Sequence, residues 1–307
     1  MPIRQRIAND FRKKCSTLEF WQHTLLYACL GLAFWPITQW FTANAHEQSR
    51  IFHSLIVLSL ATLLLIRFGG VQIAETFTLN RSARVSLILA YALLLLNFLA
   101  QQILSESVSP ILRIGVSLLS IPAYCAALAS LVLFVFGEKI RRIVVTVSGT
   151  LCAFLSLSTL MQPLDWPLRG FAGQWSQRLL ELLGQNTALK LVSEEQGIPV
   201  LVLLVNDYPF QVASECNGFG VILTSILLSV MLALYRRLNP FEFACNIAAA
   251  ITLGFLFNTL RIIVIILLAP HTMNHYMLMH EIVGGIAYWG CVITVWWILN
   301  GPVREET

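Results

Sequence analysis

The chain has 307 residues, 57% of them apolar and only 12% charged, against about 25% charged in an ordinary soluble domain. Repeated uncharged runs near ~20 residues match the depth of a hydrocarbon core, which excludes a soluble domain and implies an all-α polytopic membrane protein. The net charge of +4 carries no nucleic-acid signal, because the basic residues sit in short loops between apolar runs; the expected surroundings are membrane lipid.

Eight candidate transmembrane helices follow in chain order, at 20–41, 51–68, 85–104, 111–136, 141–161, 217–235, 242–268 and 281–299. The first apolar run begins near Phe20 and is long enough to span, so it reads as a membrane helix and not as a cleavable signal. Lys and Arg concentrate in cytoplasmic loops. Fourteen of the 20 basic residues fall on one face: the tail with Arg4, Arg6, Arg12, Lys13 and Lys14, then Arg67, Arg81, Arg84, Lys139, Arg141, Arg142, Arg236, Arg237 and Arg304. Both termini are therefore expected in the cytoplasm. Seven cysteines are scattered without a CxxC pair. Six of them, Cys15, Cys29, Cys125, Cys152, Cys245 and Cys291, read as small buried residues.

Residues 162–213 separate the fifth and sixth spans on the outer side, and a connection this long carries function or structure of its own. Its first part, PLRGFAGQWSQRLLELLG, spaces Leu168, Phe171, Trp175, Leu179 and Leu182 by three and four, leaving Arg169, Gln174, Arg178 and Glu181 for another face. That pattern predicts a helix in the plane of the interface. The following TALKLV, IPVLVLLV and YPFQV runs, separated by SEEQG and ND, predict two or three short strands. The segment reads as a lid on the bundle or as a docking surface for an extracytoplasmic substrate. Four regions result: five spans over 1–161, the external helix-plus-β segment over 162–213, three spans over 214–300, and a tail over 301–307.

Three polar residues then stand out, one from each late span. Arg261 lies inside ACNIAAAITLGFLFNTLRIIVIILLAP, where a charge is costly and usually functional, although a snorkelling anchor is the plainer reading. Cys216 opens the sixth span from the outside within SECNGFG. Ser214 is the expected N-cap there, and Gly218 is expected to leave room for a substrate backbone. A helix N-terminus and a nearby cation both favour the nucleophilic thiolate. His280 opens the eighth span in MLMHEIVGG. Each alone is an ordinary interfacial residue, but a nucleophile, a cation and a base at one depth are what acyl transfer requires.

These blocks carry a resemblance. SECNGFG with Cys216, NTLR from Asn258 to Arg261, and HEIVG with His280 and Gly284 resemble the exosortase/archaeosortase family of membrane-embedded cysteine transpeptidases. That family places a Cys block, an N-x-x-R block and a His-x-x-x-Gly block at the outer ends of late membrane helices. Asn217 stands where Ser or Thr is usual, Gly220 where many bacterial members carry Arg, and Glu215 lies directly before the cysteine. The resemblance implies an integral-membrane peptidase of the bacterial cytoplasmic membrane with no cofactor or metal. Its substrates would be exported proteins ending in a short motif such as Pro-Glu-Pro, one transmembrane helix and a basic tail. It implies Cys216, Arg261 and His280 as catalytic residues, with Ser214, Glu215, Asn217, Gly218, Asn258 and Gly284 in support.

Two other classes compete. A metalloenzyme would use His271, His275 and His280 of HTMNHYMLMHE, since histidines four apart share a helical face. A transporter or polysaccharide-export partner would require internal repeats or a polar path through the midplane, and the sequence offers neither.

Overall fold

The computed structural model of the protein describes residues 3–39, 49–68, 76–103, 115–116, 118–160, 165–193, 199–212 and 218–301. The chain divides into two compact units, Met1–Ser156 and Leu157–Thr307. The first holds helices α1 (Ile3–Lys14), α2 (Leu18–Ala33), α3 (Ser49–Phe68), α4 (Arg81–Ile103) and α5 (Ser120–Phe136), and most of α6 (Arg141–Leu160). Small side chains bring α4 and α5 together: Ala83, Ala90, Ala123 and Ser130 are all fully buried, the device by which membrane helices approach closely. Ser130 Oγ donates to the Ala83 carbonyl at 2.7 Å, and its hydroxyl meets Tyr27 Oη at 2.8 Å.

Among the described residues, five stretches are long and apolar enough to cross a membrane: Arg81–Ile103, Glu138–Leu160, Phe219–Arg236, Pro240–His271 and Met273–Leu299. The protein is thus an integral membrane protein, and five of the expected eight spans are met in full length among the described residues. The first is interrupted at a cap on Phe34, two residues before Pro36, whose ring cannot continue the hydrogen-bond ladder, and residues 35–39 are helical again. In the fourth, residues 115, 116 and 118 are helical, and α5 follows from Ser120 with Pro122 in its first turn, where a missing N–H is harmless. Residues 40, 41, 104, 111–114, 117, 161 and 217 of the expected spans lie outside the described residues.

The second unit continues with α7 (Asp165–Leu182), strands β1 (Thr187–Ser193), β2 (Pro199–Val205) and β3 (Tyr208–Gln211), and helices α8 (Phe219–Arg236), α9 (Pro240–Leu268) and α10 (Tyr276–Leu299). The strands form an antiparallel sheet in the order β1-β2-β3. Asn206 and Asp207, at φ 49° and 67°, close the β2–β3 hairpin as a two-residue turn with both central residues left-handed. On α7 a second, small-residue face packs on the sheet. Ala172, Ser176 and Leu180 are fully buried, whereas Phe171, Trp175 and Leu182 are exposed. The physical reason is the sheet: Gly173 sits so close to Leu189 and Leu201 that a Cβ there would lie 3.2–3.3 Å from their methyl carbons. The small-residue side of α7 therefore docks, and the aromatic side is left outward.

One apolar cluster joins these pieces to the bundle: Ala172 and Leu180 of α7, Leu203 and Val205 of β2, Val212, and Ile262, Ile263 and Ile266 of α9. The sheet is thereby seated on the C-terminal end of α9, beside Arg261. Helix α8 is the centre of the unit, buried without interruption from Val221 to Ala233. Helix α9 begins with a capping box between Asn239 and Glu242, with Pro240 at its first position. It crosses α8 at Gly254, where a Cβ would fall 2.9 Å from Ile222 Cα.

Candidate active site

Asn258 and Arg261 stand one turn apart on α9, facing different neighbours. Asn258 is 1% exposed and presses on Gly218, the N-cap residue of α8. Gly218 has φ +75° and makes no side-chain cap hydrogen bond. A Cβ on Gly218 would lie 2.8 Å from Cγ and Nδ2 of Asn258. The room expected there for a substrate backbone is thus filled by Asn258. The described part of the helix starts at Phe219, after Gly218. Ser214, Glu215, Cys216 and Asn217 themselves lie outside the described residues.

Arg261 faces α10. Its Nη2 is 3.3 Å from His280 Nε2. A guanidinium only donates, so Nε2 accepts and the neutral imidazole carries its hydrogen on Nδ1. His280 lies in the second turn of α10, which begins at Tyr276, and is half-buried. Gly284 lies one turn further on; a Cβ there would meet Arg261 Nε and Nη2 at 3.3 Å. The guanidinium thus fills the space that a side chain at Gly284 would take. The next residue gives an internal control, because a Cβ on Gly285 would meet nothing within 4 Å. We therefore expect Gly284→Ala to displace the guanidinium by tenths of an ångström and to cut activity about 10-fold, since misplacement near 1 Å can cost 10²-fold. Gly285→Ala should cost less than about 2-fold by the same rule. Equal activities of the two variants at matched membrane levels would remove Gly284 from the site.

Two hydrogen bonds fix α8 against α10 below this pair. Tyr288 Oη donates to Thr224 Oγ1 at 3.2 Å, and Ser225 Oγ meets Cys291 Sγ at 3.3 Å. His271 and His275 lie in two short 3-10 turns between α9 and α10, and both are exposed. Among the described residues, no three His, Cys, Asp or Glu side chains gather as metal ligands would. Neighbours of His280 that sequence reasoning missed are Phe210 and Gln211 of β3 and Tyr276 of α10, which line a small cavity of about 30 Å³ with it. A signal for the strand residues was available: β3 runs directly into the SECNG block.

The three blocks thus converge through α9, with Asn258 on the start of α8 and Arg261 on the start of α10. A family model described as transmembrane exosortase matches residues 40–297, a range that includes all three. The chain belongs to the transmembrane exosortase family. Neither a curated protein nor a solved structure matches. Membership in the exosortases implies a membrane-embedded peptidase or transpeptidase acting on exported proteins that carry sorting tails. The match begins at residue 40, and so takes in most of the first unit as well as the site.

Proposed function

We propose that the protein is a cysteine transpeptidase or protease of the bacterial cytoplasmic membrane. It cleaves C-terminal sorting tails of exported proteins on the outer face, with both of its own termini in the cytoplasm. The observation that carries this reading is the Arg261–His280 contact at 3.3 Å, seated on Gly284 and held beside the start of α8. Chain connectivity adds a constraint. Cys216 is two residues from Gly218, and two steps of 3.8 Å keep its Cα within about 7.6 Å of the glycine.

In this reading the resting Arg261–His280 contact is the state that substrate disrupts. As the scissile carbonyl arrives, Arg261 turns to its oxygen and releases the Nε2 lone pair of His280. That nitrogen takes the thiol proton of Cys216, and the thiolate attacks the carbonyl carbon. The negative charge that develops on oxygen is stabilised by the guanidinium, which adjoins a largely apolar wall where such stabilisation is strongest. The imidazolium then gives its proton to the leaving amine as the C–N bond breaks, leaving a thioester on Cys216. An incoming amine or water loses its proton to His280 and attacks the thioester. Asn258 and Gly218 fix the approach of α8 to α9 and so act as positioning residues.

A reporter tests this: a tagged exported protein ending in Pro-Glu-Pro, one apolar helix and a basic tail, followed by size in membranes with matched enzyme levels. Cys216→Ala and Cys216→Ser should abolish processing, and His280→Ala should cripple it. His271→Ala and His275→Ala, on exposed turns, should leave it within about 2-fold, because loop positions impose no catalytic geometry. Loss of processing in His275→Ala with His280→Ala intact would give the acid–base role to the wrong residue.

A further inference from the structure

We infer that the open edge of β3 is the docking strand for the substrate: the segment carrying the scissile bond adds to the sheet as an extended backbone. This inference rests on the peptidase reading above and concerns how that site takes its peptide. The starting point is an open cleft of about 920 Å³, with one wall formed by β3 and the other by the beginning of α10. All four consecutive residues of β3, Tyr208 to Gln211, line it. Successive side chains of a strand point to opposite faces, so a cleft on either face would be lined by alternate residues. A cleft lined by an unbroken run lies along the strand's edge.

The register says what that edge offers. In the β2–β3 ladder, Val202 pairs with Gln211, Leu203 with Phe210, Leu204 with Pro209 and Val205 with Tyr208. The Val212 N–H donates to the Leu201 carbonyl at 2.8 Å, so that pair exchanges hydrogen bonds directly. Because the exchange alternates along an antiparallel ladder, Phe210 and Tyr208 also turn their N–H and C=O groups inward to β2. Pro209 and Gln211 turn theirs outward, into the cleft. Proline has no N–H, so the outward inventory is two carbonyls and a single donor, the Gln211 N–H. Among the described residues no strand lies beyond β3. Natural edges are normally blocked against pairing; this one is blocked by Pro209 at one end and left open at Gln211, the end next to the catalytic pair.

The opposite wall fits an extended peptide. Tyr276, Met277, His280 and Glu281 occupy one face of the first turns of α10 and line the same cleft. Met277 is 74% exposed; an unbranched thioether adapts to varied side chains. His280 belongs both to this wall and to the 3.3 Å contact with Arg261, so the groove and the chemistry are continuous. Four residues of strand span about 13 Å, enough for three or four substrate residues. Backbone pairing provides the affinity and the cleft wall the selectivity, as in other β-strand additions.

The test uses proline as a donor deletion on both edges of one sheet. Gln211→Pro removes the only outward N–H of β3 without touching its ladder to β2. The matching control is Leu191→Pro. The Asn206 N–H donates to the Asn186 carbonyl at 2.8 Å, which by the same alternation turns Leu191 outward on the far edge of β1. Processing of the tagged reporter should fall about 10-fold or more in Gln211→Pro, which loses a hydrogen bond and gains a ring in the peptide's path. In Leu191→Pro it should stay within about 2-fold, since an outward edge position tolerates proline. Alkylation of Cys216 by iodoacetamide should be unchanged in both, showing that the thiol itself is intact. As an independent arm, p-benzoylphenylalanine at Met277 should capture the reporter on irradiation, and at exposed Trp297 should not. Normal processing by Gln211→Pro overturns the inference while leaving the peptidase reading in place. If both proline variants lose processing, the photocrosslink decides: no capture at Met277 by an enzyme that processes overturns it. Processing by Cys216→Ala would instead overturn the peptidase reading.

Discussion

Arg261→Lys should be nearly as inactive as Arg261→Ala, each losing on the order of 10²–10³ in reporter processing, the usual cost of one oxyanion donor. The two residues carry the same charge, so a role as a membrane anchor would be preserved by lysine and lost with alanine. The structure argues for a role that depends on shape. The guanidinium fills the space where a Cβ on Gly284 would stand 3.3 Å from Nε and Nη2, while Nη2 reaches His280 at 3.3 Å. A lysine ammonium is a compact point charge without the planar fork that makes two such contacts at once. It would leave the space over Gly284 unfilled and could serve the histidine or the oxyanion, but not pass between them. The measurement is the rate of reporter conversion in membranes with matched enzyme levels. A lysine variant retaining more than about a tenth of the parent rate would show that charge alone is needed, since a full oxyanion donor is worth far more.

Gly218→Ala should also lose about 10²-fold, through geometry and not chemistry. Two costs coincide at this residue. Its φ of +75° lies in the left-handed region, where a Cβ costs about 1–2 kcal/mol. That Cβ would also stand 2.8 Å from the Asn258 side chain, well inside contact distance. Asn258 is buried and cannot move aside, so the start of α8 must shift, and the Cys216 segment with it. The two costs separate in a double-mutant cycle. Asn258→Ala removes the collision and leaves the backbone strain, so adding it to Gly218→Ala should recover part of the loss. Residues in contact couple by about 0.5–3 kcal/mol. Strict additivity in processing rates, with each variant folded and inserted, would mean that the contact does not matter.

The membrane class and the three late helices were legible because hydropathy reports directly on the hydrocarbon environment. The Asn206-Asp207 turn was equally readable, since it is a local device. The sheet-facing side of α7 was not legible, for a physical reason. That helix has two apolar stripes, and periodicity cannot say which one meets the sheet; Gly173 and Ala172 decide it by permitting close approach. The interruption of the first span at Phe34 falls two residues before Pro36, which hydropathy ignores. In the site, Arg261 and His280 were singled out by charge and position. The steric roles of Gly218 and Gly284 were not legible, because what each would strike lies 40 and 23 residues away in the chain. Nothing in the sequence distinguishes Gly284 from Gly285; only the neighbouring guanidinium does. The edge of β3 was hidden for a similar reason, since which backbone groups turn outward depends on pairing register and not on residue type.

The central claim is that Cys216 attacks the substrate carbonyl with the help of Arg261 and His280. Its most direct measurement is the covalent intermediate: mass analysis of enzyme mixed with the tagged reporter and quenched in acid. The account predicts a reporter fragment bound to the peptide containing Cys216, released by neutral hydroxylamine as a thioester should be, reduced in His280→Ala and absent from Cys216→Ala. Reporter cleaved at an undiminished rate by Cys216→Ala, with no adduct on any cysteine of the parent enzyme, would contradict it.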